Sequence, residues 1–139
     1  MSPAGSIEEF VVSDKLNGPV GMAYDQVNDQ IFVSNFSDGK IFAVAMNGSI
    51  SEVADTPASI GHLDYRDNVL YATGFNENKI YLVSTNGQIL ATIGNGNKAT
   101  SDGTASQASF FNPNGIAVWK NGKFVYVSQM DGTIRKIVL

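Results

Sequence analysis

The sequence predicts an all-β protein made of repeated four-stranded units, and three observations carry that expectation. Asn-Gly and Asp-Gly pairs punctuate short runs of β-branched and aromatic residues, the pattern of many successive hairpins. No window holds a 3.6-residue apolar period, so little helix is expected. The chain also repeats itself. "GPVGMAYDQVNDQIFVSNFSDGKIFAVAMNGSISEVA" starts at Gly18, "ASIGHLDYRDNVLYATGFNENKIYLVSTNGQILATI" at Ala58 and "NPNGIAVWKNGKFVYVSQMDGTIRKIVL" at Asn112. Gly21, Gly61 and Gly115 head matching strands, 40 and 54 residues apart. A period near 40 residues with four short strands per unit is a β-propeller blade.

In the first unit, strand A falls near residues 20–24, B near 30–34, C near 40–44 and D near 50–54. The B–C and C–D turns carry "SDG" and "NG", where glycine makes positive φ cheap. Blade 1 spans about 18–54, blade 2 about 58–93 and blade 3 about 112–139. The third unit holds A, B and C. Its D strand is displaced to residues 6–12, "SIEEFVV", which match "SISEVA" and "QILATI" of the first two units. An N-terminal strand that completes the last blade removes a free sheet edge.

Three blades subtend too little of a circle, since propellers have four to eight. Both flanks would stay open and apolar, which monomers rarely tolerate. Two solutions exist: the chain is part of a longer propeller, or copies assemble. The favoured expectation is a homodimer forming one six-bladed ring with twofold symmetry, residues 6–12 of one copy completing blade 3 of the other.

Composition narrows the function. The net charge of −4 argues against nucleic acid or anionic membrane as partners, because both attract basic surfaces. No apolar run reaches the ~20 residues of a membrane span. The opening "MSPAGSIEEF" lacks the basic and apolar regions of a signal peptide. With no cysteine and one histidine, a His/Cys transition-metal site within one chain is not expected. No G-x-S-x-G elbow occurs, and the "GNG" at Gly94 opens no helix that would bind phosphate.

The stretch "GNGNKATSDGTASQASFFNPNGIAVWKNGKFVYVSQMDGTIRKI" resembles the blade signature of NHL-repeat propellers. "PNGIAV" and "GPVGMAYD" resemble the gluconolactonase/regucalcin group of six-bladed propellers. The second resemblance implies one divalent metal at the channel mouth, held by a Glu before "GPV", the Asn of "PNG" and an Asp of another blade. Asn114 matches the Asn, but Asn17 stands where the Glu should be, and the positions matching Asn114, Val20 and Ile60, are apolar. A hard cation wants several oxygen ligands, carboxylates among them. No metal and no cofactor are therefore predicted, and Asn114 is expected to be a turn residue bonded to the backbone.

His62 aligns with Met22 and Ile116 and is expected to be a packed, hydrogen-bonded core residue. Trp119, at an A–B turn, is expected to pack against a neighbouring blade. The candidate binding face consists of Asn114 and the B–C turns: Asn35 and Phe36, Phe75 and Asn76, Gln129 and Met130. Apolar residues at turn tips depart from the usual polar preference. They either tuck under the 14 extra residues before Gly115, where Phe110 and Phe111 need cover, or form an apolar floor with an amide rim for a small molecule or peptide. The expected function is non-enzymatic recognition with no catalytic residues; the alternative is a metal-dependent lactonase or hydrolase, or its inactive remnant.

Overall fold

The computed structural model describes residues 5–119 and 122–139. Among them there is no helix. Eleven strands form three antiparallel sheets. The first contains β1 (Pro19–Asp25), β2 (Gln30–Asn35), β3 (Lys40–Ala45) and β4 (Ile50–Asp55). The second contains β5 (Ile60–Arg66), β6 (Val69–Gly74), β7 (Lys79–Ser84) and β8 (Ile89–Ile93). The third contains β9 (Pro113–Val118), β10 (Phe124–Gln129) and β11 (Ile134–Val138). Each sheet is a meander with strands in chain order, as in propeller blades. The turn glycines act as the sequence requires: Gly39 and Gly48 have φ of 73° and 83°, and a Cβ on Gly39 would lie 2.2 Å from the Ala58 carbonyl.

Two apolar layers join the sheets. Phe32, Ile41, Leu63, Leu70 and Val83 belong to the layer between the first and second sheets. Ile80, Ile93, Phe110, Val125 and Val127 belong to the layer between the second and third. Alternate residues along each strand supply opposite layers, so Leu70 faces back to the first sheet and Tyr71 forward to the third. Phe110 explains the residues inserted before β9: it is buried in the second layer, while Arg135 ties the insertion to β11 through the Ser109 and Ser101 carbonyls and the Asp102 carboxylate.

The first strands β1, β5 and β9 lie side by side, and their pairing corrects the repeat alignment. Counting from the hairpins, Asp25 pairs with Gln30, Arg66 with Val69 and Val118 with Val125. A bulge then sets one residue of the second strand opposite two of the first. Val20 and Gly21 therefore correspond to Gly61 and His62, and to Asn114 and Gly115. Gly61 is not the counterpart of Gly21; His62 is. Residues 6–12 form no strand within this chain, and β11 is the outer strand of its sheet.

Candidate functional site

In each sheet a backbone hydrogen bond ties the B–C turn to the residues just before the inner strand and sets all three turns at the same end. Phe36 N donates to Gly18 O at 2.9 Å, Phe75 N to Ser59 O at 3.0 Å and Met130 N to Phe111 O at 3.1 Å. The start of each inner strand lies at that end, because Pro19 pairs with Asn35, Ile60 with Gly74 and Pro113 with Gln129. Contacts between blades hold the turns together. The Phe36 and Phe75 rings meet edge-on with centroids 5.7 Å apart. Asn112 Nδ2 donates to Phe75 O at 2.9 Å.

The seven sequence-predicted residues divide into two kinds. Asn35 is fully buried; its amide donates to Lys15 O at 2.8 Å and reaches Asp38 at 3.3 Å, tying the chain before β1 to the β2–β3 turn. Gln129 is also buried. Its Nε2 reaches Thr133 at 2.6 Å and Thr100 at 3.0 Å, and its Oε1 accepts from Phe111 N at 3.2 Å, which fixes the insertion to the β10–β11 turn. Asp131 accepts from Thr100 and Thr133 in the same network, and these bonds hold its carboxyl at about 2, below the ordinary 3.8. Phe36, Phe75, Asn76, Asn114 and Met130 remain at least partly open to solvent. Asn76 Nδ2 donates to Ser59 Oγ at 3.2 Å. Phe36 and Phe75 pack on each other, while Phe111 lies under Lys98, whose ammonium is 4.7 Å from the ring centroid.

Asn114 and His62 both depart from expectation. Asn114 is a strand residue of β9, not a turn residue, because it belongs to the bulge that opens the inner strand. His62 is exposed, not core. It occupies the register position that is glycine in the other two sheets, so its side chain projects from the bulge instead of entering a layer. The two side chains meet: His62 Nδ1 lies 3.1 Å from Asn114 Oδ1. An amide oxygen can only accept, so Nδ1 carries the proton and, in the neutral ring, Nε2 presents a lone pair. Asn114 Nδ2 turns toward the Met130 sulfur at 3.9 Å, and Met130 is 59% exposed. The sequence reasoning missed His62 as a face residue. The signal was its place beside Gly61, which alignment by glycine concealed.

Trp119 follows β9 and is 52% exposed. Among the described residues no group of three or more His, Cys, Asp or Glu side chains stands close enough to hold a metal ion. No helix among them is long and apolar enough to cross a membrane.

No protein-family model matches the chain, and no curated protein matches it. Solved structures do. A streptogramin B lyase structure is 23% identical with a TM-score of 0.59, the match covering 95% of this chain and 44% of that one. A chain of the nidogen/laminin complex is 14% identical with a TM-score of 0.67, covering 86% and 44%. The computationally designed Ika4 protein is 11% identical with a TM-score of 0.59, covering 96% and 99%. This chain thus spans less than half of the first two and nearly all of the third. Likeness at such identities establishes the fold, blades of a β-propeller, and leaves activity open.

Proposed function

We propose that this protein is a non-enzymatic binding propeller that recognises a small molecule or peptide at the B–C end of its inner strands. The observation that carries the reading is the joined surface of Phe36 against Phe75 and of His62, Asn114 and Met130. Aromatic and thioether groups offer apolar area, and the imidazole and amides offer directed hydrogen bonds, the composition of a recognition site. Ligand-observed NMR with a fragment library tests it. Hits should be lost in Phe75→Ala and in His62→Gly; hits indifferent to both would overturn the reading.

The ring is completed, in this proposal, by a second copy, giving six blades of the NHL or gluconolactonase kind that the sequence resembles. Residues 6–12 of each copy add to the edge of β11 in the other. A groove of about 760 Å³ runs beside that edge, lined by β11 and by the insertion from Thr100 to Ala108. Ile7 and Val12 are exposed in the single chain and available to fill it. Laid on β11 as β4 lies on β3, where Ala43 pairs with Ser51, the segment sets Glu8 opposite Lys136. Opposite charges across a strand pair favour that register.

The second reading, a metal-dependent lactonase or hydrolase, rests on Asn114 of "PNG". Its Oδ1 already accepts from His62, which disfavours a cation there. Calorimetry with Ca²⁺ should show no sub-micromolar binding. Tight binding that disappears in Asn114→Ala would restore the enzyme reading.

A further inference from the structure

We propose that the seam between the two copies reproduces the two seams inside the chain, with Ser128 Oγ of one copy donating to the Val20 carbonyl of the other. The inference rests on the two-chain ring proposed above and adds the atoms that join it.

A hydroxyl stands opposite the bulge in each sheet: Ser34 on β2, Thr73 on β6 and Ser128 on β10. Ser34 Oγ accepts from Gly21 N in its own sheet at 3.1 Å and donates to Gly61 O in the next at 2.8 Å. Thr73 Oγ1 donates to Asn114 O in the next sheet, also at 2.8 Å. Gly61 and Asn114 hold the same register position, so the two bonds are one device used twice. Ser128 Oγ accepts from Gly115 N at 3.0 Å, as Ser34 does from Gly21. Among the described residues no acceptor takes its proton. The register equivalent of Gly61 and Asn114 in the first sheet is Val20.

The apolar flanks repeat in the same way. Phe32 faces forward from the first sheet onto Tyr65 of the second, ring centroids 5.0 Å apart. The equivalent of Phe32 in the third sheet is Tyr126, and the equivalent of Tyr65 in the first is Tyr24. Ile134 occupies the forward-facing position that Ile41 and Ile80 bury, and it is 75% exposed. On the opposite flank Met22 and Tyr24, at the positions of Leu63 and Tyr65, are 69% and 54% exposed. Each open flank therefore presents the half of a layer that the other lacks. A second copy of the chain is the occupant that supplies both halves.

Sedimentation of the full chain over a concentration series gives the dimer dissociation constant. Ser128→Ala should weaken association about fivefold per seam, roughly 25-fold for two. Ser128→Thr should associate like the parent, because Thr73 fills the same role. Tyr24→Ala and Tyr126→Ala form a double-mutant cycle; the Tyr24 ring is 54% exposed in the isolated chain, where its hydroxyl donates to Asp29 Oδ1 at 2.6 Å. The double variant should weaken association by less than the product of the single effects. A parent dimer that ignores Ser128→Ala, or a strictly multiplicative cycle, would overturn the seam while leaving the ring. A parent that stays monomeric at all concentrations would overturn the ring and the seam with it.

Discussion

Asp25 is fully buried where β1 turns into β2. Burial alone would push its carboxyl up. Hydrogen bonds from Asn28 Nδ2 at 2.7 Å, Gln30 Nε2 at 3.1 Å and the Val27 and Asn28 amides outweigh it and hold the carboxyl below 3.8. Asp131 is lowered to about 2 by Thr100, Thr133 and Gln129. A carboxyl depressed in the folded state contributes stability above its ordinary value and loses it as pH falls through the folded value. Both contributions are thus complete at neutral pH and above about 4, and the Asp131 share fades between about pH 4 and 2. Thermal melts across that window should show a smaller acid loss in Asp131→Asn than in the parent; identical profiles would contradict the network. Asp25→Ala should cost about 1–3 kcal/mol in urea unfolding, since it strips bonds from a buried turn. His62→Gly restores the residue that the register carries in the other sheets, so stability should stay within about 0.5 kcal/mol while the face loses its imidazole.

At the level of elements, much was legible in the sequence, and the misplacement of His62 has a single cause. Strand positions in the first unit followed from alternation and from Asn-Gly and Asp-Gly turns, and β2, β3 and β4 begin where expected. Hairpin register, however, is counted from the turn, and the bulge inserts a residue that periodicity cannot place. The glycine of the second unit drew the alignment one position off, which sent His62 to the core on paper. Asn35 and Gln129, expected in the B–C turns, are the last residues of β2 and β10, and their burial was not legible because their partners lie 20 and 18–29 residues away. The insertion holds the second layer together through Phe110, so Phe110→Ala should cost about 3–5 kcal/mol by denaturant titration. At the edge of β11, Glu8→Lys and Lys136→Glu should each weaken association, and the double exchange should recover it. Recovery by neither order of charges would place residues 6–12 in another register.

For the whole molecule, three blades packed through two layers leave a third kind of surface on each flank, equal in design to what is buried inside. Closing it with a copy would turn two marginal flanks into core and couple folding to association, so the melting temperature should rise with protein concentration. A contact of that kind would have to bury on the order of 2,000 Å² or more to fall in the obligate class. It would also set two binding faces at one rim of a single ring. The mass in solution tests this most directly. Light scattering coupled to size exclusion at micromolar concentration should report twice the 14.8 kDa chain. A folded species at 14.8 kDa that melts at the same temperature at every concentration would contradict the account.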